Sequence, residues 1–260
     1  MNAPIDITRL DEATVQLRQT KASHPEAPFM FLLFGSERAL LLDTGATVDA
    51  TDFPLRATVD ALIAEWSGAH PRDGYGLIVA HTHAHYDHIA ADLQFADRPH
   101  TDVVGVGVDE VIGYFDLERW PEHPAVIDLG GRAVDVIPGP GHENSAVVFF
   151  DRATGTLYTG DTVYPGRLYV EDHDVYRATI DRLIAFRDRA DVHVTALRGC
   201  HIEMSTAPGV DYAMGAIDQP DELPLDLAPT ILDEVRDAVA EAAYEPGTIV
   251  RDRFILYNLV

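Results

Sequence analysis

The chain has 260 residues, 47% of them hydrophobic, and a formal charge of −24 from 43 acidic against 19 basic side chains. So acidic a surface argues against a nucleic-acid partner, because phosphate binding depends on clustered Lys and Arg. No apolar run approaches the roughly 20 residues of a membrane helix, and no Pro/Gly/Ser-rich linker divides the chain, so one α/β domain over 1–260 is expected.

Residues 1–8 lack a basic region followed by an apolar one, so no secretory signal is read and the expected location is cytoplasmic. The single cysteine, Cys200, agrees, since it cannot close an internal disulfide. Nothing in the sequence speaks for or against a homo-oligomer.

Segments 14–18, 29–34 and 39–42 read as successive strands, with Gly35-Ser36-Glu37-Arg38 turning the last two. Over 54–66 the apolar positions Leu55, Val59, Leu62, Ile63 and Trp66 recur at helical spacing. Leu77-Ile78-Val79-Ala80 reads as a buried strand and 89–95 as the first turns of a helix that Asp87 would cap. Between them stand His81, His83, His85 and His88 with Asp87, at the carboxyl end of a strand, where α/β proteins place ligands. His83 and His85 project to one side of an extended segment, and Asp87 and His88 lie further round the turn. Imidazoles and a carboxylate so arranged suit zinc, and also iron or manganese, better than calcium or magnesium.

Further along, 103–106 reads as a short buried strand, 109–117 as a helix, and 132–137 and 146–150 as strands. These last two bracket a tight Pro/Gly loop that presents His142. A strand over 156–159 delivers Gly160-Asp161. A helix over 173–187 and a strand over 192–197 lead to His201. The histidines at 24, 70, 100, 123, 173 and 193 read as exposed polar surface. Segment 203–226 has little periodicity and reads as a substrate-covering loop. A helix over 228–244 and a closing strand over 249–259 end the chain.

The run Thr82-His83-Ala84-His85-Tyr86-Asp87-His88 resembles the signature of the metallo-β-lactamase superfamily. Leu42-Asp43-Thr44-Gly45, Pro140-Gly141-His142, Thr159-Gly160-Asp161 and Gly199-Cys200-His201 resemble its other motifs, in order, so that the likeness spans 40–201. The resemblance implies a four-layer αββα sandwich and two metal ions, expected as zinc with iron or manganese as alternatives. It implies that His142 joins His83 and His85 on one metal, that His201 joins Asp87 and His88 on the other, and that Asp161 bridges them.

Other positions keep two readings. Asp43 either orients the metal loop, as in the family, or only forms a turn. Cys200 is either a thiol beside the metals or a small buried filler. Tyr164, three residues after Asp161, either resembles the lactonase tyrosine beside the metals, a catalytic donor alongside Asp87, or is a rim aromatic.

The implied reaction is hydrolysis of a carbonyl bond in a small molecule, a lactone, ester or thioester, by water activated between the metals. His88 stands where much of the β-lactamase branch has Arg, which resembles the lactonase, thioesterase and glyoxalase II groups. One helix after His201 is less than the glutathione-binding domain of glyoxalase II. A β-lactam hydrolase, an iron persulfide dioxygenase and a metal-binding protein without turnover are the alternatives.

Overall fold

A computed structural model describes residues 3–259. Strands β1 (Ile5–Asp11), β2 (Thr14–Gln19), β3 (Phe29–Phe34) and β4 (Arg38–Leu42) form an antiparallel meander. Helix α1 (Leu55–Ala69) then carries the chain back across the sheet, so β5 (Gly76–Ala80) lies parallel to β4. Helix α2 (Tyr86–Ile89), edge strand β6 (Thr101–Val103) and helix α3 (Val108–Phe115) complete this half, whose sheet runs β1-β2-β3-β4-β5-β6.

The second half adds β7 (Ala125–Asp128), β8 (Ala133–Pro138), β9 (Val147–Asp151), β10 (Thr156–Gly160), β11 (Arg167–Val170), helix α4 (His173–Arg187), β12 (Ala196–Gly199) and β13 (Asp226–Leu227). Helix α5 (Ile231–Ala242) and strands β14 (Gly247–Val250) and β15 (Ile255–Asn258) follow. Its main sheet runs β13-β12-β10-β9-β8-β7, and β11-β15-β14 forms a small third sheet.

Period-two alternation sets the layers. Phe31, Leu33, Leu40, Leu42, Ile78 and Ala80 of the first sheet share a core with Val134, Val136, Val147, Phe149 and Tyr158 of the second. The intervening residues Met30, Leu32, Leu41, Leu77 and Val79 face the other way, onto Leu55, Val59, Leu62 and Ile63 of α1. On the far side, Val148, Phe150, Leu157 and Leu197 meet Tyr176, Ile180 and Leu183 of α4 and Leu232, Val235 and Val239 of α5. Helix, sheet, sheet, helix is the four-layer αββα sandwich. Each such buried Leu or Phe contributes about 1.5–3 kcal/mol. Among the described residues no helix is long and apolar enough to cross a membrane.

Several elements depart from the sequence expectations. β1, β7 and β11 were not anticipated, and β6 covers 101–103 rather than 103–106, because pairing with β5 sets Leu77 opposite Thr101 and Val79 opposite Val103. It is also an edge strand, not a buried one, with Val103 37% exposed. The strand expected over 192–197 starts only at Ala196, opposite Thr156. The closing strand is a hairpin, β14 and β15, bent where the Arg251 amide bonds the Phe254 carbonyl across polar Arg251-Asp252-Arg253.

Candidate metal centre

Within each main sheet, the strands that end in candidate ligands point the same way: β4 and β5 are parallel, and so are β10 and β12. Their carboxyl ends gather Asp43, the 81–88 loop, Asp161 and His201 at one edge of the sandwich, and the β8–β9 loop adds His142. Two glycines allow the approach. Gly160 has φ +53°, and a Cβ there would lie 2.6 Å from the Thr82 side chain. Gly141 has φ +129°, and a Cβ there would meet the Tyr176 backbone at 2.4 Å.

Two donor groups result. His83, His85 and His142 form one, and Asp87, His88, Asp161 and His201 the other, the donor atoms in each lying within 4.8 Å of one another. In the first, His85 Nδ1 lies 3.0 Å from His83 Nε2 and 3.2 Å from His142 Nε2. In the second, His201 Nε2 lies 3.3 Å from His88 Nε2 and 3.1 Å from Asp87 Oδ2. A tetrahedral ion with bonds of 2.0–2.1 Å sets its ligands about 3.3 Å apart, so both groups have the spacing of a zinc shell. Asp161 Oδ2 is 3.9, 3.8 and 3.7 Å from Nε2 of His83, His142 and His88, which puts one carboxylate within reach of both groups.

The second ring nitrogen of four histidines is already held, which turns the other inward. His88 Nδ1 donates to Asp43 Oδ2 at 3.0 Å, His142 Nδ1 to the Tyr169 carbonyl at 2.9 Å, and His201 Nδ1 to the Glu26 carbonyl at 3.1 Å. Thr82 Oγ1 gives its proton to Asp43 Oδ2 and accepts from His83 Nδ1 at 3.2 Å. Asp43, fully buried at φ +64°, also receives the Thr82 amide at 2.7 Å and the Cys200 thiol at 3.1 Å. It therefore orients the loop and does more than form a turn. Cys200 is a donor to that carboxylate rather than an inert filler: burial, then the charge of Asp43, pushes its thiol up and keeps it S–H.

Electrostatics separates the groups. Burial, followed by repulsion from His88, lowers the His83 imidazole, and burial lowers His142, so both stand neutral with lone pairs available. Burial also opposes charge on His88 and His201, but the Asp161 carboxylate overcomes it, aided by Asp43 at His88 and by Asp87 at His201. His88 is held well above its usual value and His201 is raised to about 9. Burial works against ionised Asp87 and Asp161, yet the facing histidines hold both carboxyls well below the usual range. Asp161 Oδ1 is buried without a hydrogen-bond partner, an acceptor aimed at the space a cation would fill.

All seven residues expected as ligands are thus brought together. Asp87 is not the N-cap: it lies in the first turn of α2, whose N-cap is His85, and the expected helix over 89–95 stops at Ile89 and gives way to a 3₁₀ turn at Asp92–Gln94. Asp92 is engaged by His81 Nε2 at 2.9 Å and the Thr44 hydroxyl at 2.7 Å, which bends the chain there. Tyr164 is 3% exposed, and its hydroxyl donates to the Arg167 carbonyl at 2.5 Å with Glu203 Oε2 at 3.1 Å. Tyr164 thus lines the pocket over the ligands with its hydroxyl engaged by protein partners, an arrangement that neither the donor reading nor the rim reading specified.

His173 is buried at the start of α4 against Tyr244 and is not surface. His24 is half-buried and lines the pocket over the ligands. Segment 203–226 is pinned where Arg167 bonds Glu203, Asp211 and the Tyr212 carbonyl, and where Arg18 takes both oxygens of Glu222. Glu203 and Met214 are its contributions to the pocket wall. The holders of His142 and His201, the carbonyls of Tyr169 and Glu26, have no side-chain signature and escaped the sequence.

A profile described as the metallo-beta-lactamase superfamily matches residues 25–244. The hydroxyacylglutathione hydrolase of Rhizobium meliloti is 27% identical over 180 residues, 64% of this chain and 64% of that protein. The acyl-coenzyme A thioesterase MBLAC2 of Gallus gallus is 29% identical over 167 residues, 54% of this chain and 58% of that one. The chain thus spans less than two thirds of the length of these curated relatives. Among solved structures, a metallo-beta-lactamase from Pontibacter korlensis superposes with a TM-score of 0.57 at 14% identity, covering 91% of this chain and 99% of its own. The metallo-beta-lactamase FIM-1 from Pseudomonas aeruginosa, in its mono-zinc form, gives 0.56 at 14% identity, covering 93% and 97%. At that identity the likeness is one of fold.

Proposed function

The chain belongs to the metallo-beta-lactamase superfamily, and on that premise we propose that it is a two-zinc hydrolase that cleaves the carbonyl bond of a small lactone, ester or thioester. The observation that supports this best is Asp161, whose Oδ2 reaches both histidine groups while its buried Oδ1 makes no hydrogen bond and lies 3.5 Å from His201 Nε2. One group of three nitrogens and a second of nitrogens and carboxylates suit zinc in both positions.

Held by these residues, zinc would lower the pKa of a bound water toward about 7 and polarise the substrate carbonyl. The protein's part is to hold the ligands. Asp43, Thr82 and the carbonyls of Tyr169 and Glu26 fix the rings before any metal arrives, so little reorganisation is needed on binding. Asp87, on the open side of its group with a side chain 23% exposed and held ionised by His201 and His88, would accept the proton of the attacking water and hand it to the leaving group. The names of the two curated relatives, a hydrolase of hydroxyacylglutathione and an acyl-coenzyme A thioesterase, support acyl chemistry over phosphodiester chemistry.

Elemental analysis after zinc reconstitution, with a screen of lactones, aryl esters, thioesters, β-lactams and phosphodiesters, tests the reading. Two zinc ions per chain and chelator-sensitive turnover of the first three classes are expected. A single iron with oxygen uptake, or no turnover across the screen, would overturn it.

A further inference from the structure

The pocket above the ligands, about 530 Å³, has the metal-facing side chains as its floor and a margin that includes His24, Glu26, Tyr86, Tyr169, Glu171 and Met214. No Arg or Lys is among the described residues that line it. Glu203 on its wall is neutralised by Arg167 at 2.7 Å, but Glu26 and Glu171 are exposed. Lys21, whose ammonium bonds the Pro25 carbonyl at 3.0 Å, interacts with the charges of Glu26 and Glu203 but does not line the opening.

The positions of these two carboxylates are fixed by the backbone that holds the ligands. Glu26 supplies the carbonyl that receives His201 Nδ1. Glu171 follows Tyr169, whose carbonyl receives His142 Nδ1, by two residues, and its own amide bonds the Gly141 carbonyl at 3.0 Å. One carboxylate therefore stands beside each donor group. Tyr86, 60% exposed, and the half-buried Tyr169 add aromatic surface to the same opening. At the floor, buried Asp161 Oδ1 makes no hydrogen bond, its contact with His201 Nε2 being a long one at 3.5 Å, which leaves an acceptor for a bound cation.

Resting on the hydrolase reading above, we infer that Glu26 and Glu171 set the charge preference of the site. They favour an acyl ester or thioester whose carrier bears an ammonium group, accept a neutral carrier less well, and reject an anionic one. Carboxylates and tyrosine faces around an opening attract a cation. An anionic carrier reaching out from the metal-site floor would meet two like charges at the margin, where no Arg or Lys lines the opening, and selection can work by repulsion as well as by contact.

The test uses the zinc-loaded full chain at low ionic strength and three thioacetates of similar size: acetylthiocholine, its neutral 3,3-dimethylbutyl isostere, and S-acetyl-3-mercaptopropionate. The expected kcat/KM order is cationic, neutral, anionic, with about tenfold or more between the extremes. In Glu26→Gln/Glu171→Gln that ratio should collapse to about twofold. Calorimetric binding of thiocholine and 3-mercaptopropionate to both proteins reads the same ranking without turnover. If no thioacetate is hydrolysed, the thioester part of the hydrolase reading fails while thiol binding still decides the charge preference. An anionic preference in the unaltered protein, or a ratio that survives the double substitution, overturns the inference.

Discussion

Oδ2 of Asp43 receives the Cys200 thiol at 3.1 Å and the His88 imidazole N–H at 3.0 Å, so a residue next to one ligand and a second ligand hang on one buried oxygen. The Thr82 hydroxyl, 2.9 Å away, makes a third donor. Asp43→Ala would free the His88 ring and leave four donors, the Thr82 amide and hydroxyl, the His88 ring and the Cys200 thiol, without their acceptor in the core. Loss of such a support typically costs about 10–100-fold in metal affinity. We expect a loss of that size in competition with a chelating dye, with the His83–His85–His142 group least affected. Cys200→Ala removes one weak donor and should lower affinity far less. Equal losses in the two variants would show that the carboxylate is not the hub.

What the sequence discloses about this site follows from where its chemistry resides. The ligands are side chains, so His83, His85, Asp87, His88, His142, Asp161 and His201 could be named from residue type and order. Helices α1 and α4 were legible because their buried faces repeat every three or four residues, and α4 spans the expected 173–187. Periodicity misled at 89–95, where Ile89, Leu93 and Phe95 look amphipathic but Leu93 is 77% exposed. There Asp92 is drawn to His81 and Thr44, contacts that local spacing does not encode. β11 was hidden for a related reason: its partner, β15, lies some 88 residues on, Arg167 pairing with Ile255. The carbonyl of Tyr169 that orients His142 came with it.

Tyr164→Phe tests whether the phenol takes part in turnover. A donor that stabilises developing charge is worth a hundredfold or more in kcat, about 3–4 kcal/mol. Here the single proton is already given to the Arg167 carbonyl at 2.5 Å. We therefore expect kcat to change by no more than about threefold, while stability falls by about 1 kcal/mol, the net value of one buried hydrogen bond. A hundredfold fall in kcat with unchanged zinc content would mean that the hydroxyl swings to the substrate during the reaction.

Acid stability should depend on Arg132 and Asp151. Arg132 Nη2 donates to Asp151 Oδ2 at 2.7 Å, and the same guanidinium reaches Thr14 Oγ1 at 2.7 Å and the Phe34 carbonyl at 3.1 Å, clamping the two sheets. Burial tends to raise the Asp151 carboxyl, but the hydrogen bonds and charge of Arg132 outweigh it and hold it below 3.8. A carboxyl depressed in the folded state binds its proton more readily when unfolded. Its stabilisation is thus complete above the unfolded value and is lost as pH falls through the folded one. Urea midpoints between pH 5 and 2 should fall more steeply for the unaltered protein than for Asp151→Asn, and parallel curves would refute the coupling. Arg132→Met, which strands a buried carboxylate, should cost about 3–5 kcal/mol near neutral pH.

Gly160→Ala separates strain from contact at the centre of the site. The backbone there has φ +53°, and the added methyl would lie 2.6 Å from both Cβ and Oγ1 of Thr82. A left-handed alanine costs about 1–2 kcal/mol, and forcing a methyl into a packed interior about 1–3 kcal/mol more. Thr82 cannot retreat without breaking its two bonds to Asp43, so the displacement should pass to His88 and His83. Gly131→Ala is the control: φ is +74°, but nothing lies within 4 Å of the new methyl, so only the backbone cost applies. Denaturant unfolding should therefore show Gly160→Ala losing clearly more than Gly131→Ala, and zinc binding should weaken in the former alone. Equal losses, with zinc affinity intact in both, would mean that Thr82 moves freely and that the close approach of β10 to the metal loop does not hold the ligands in place.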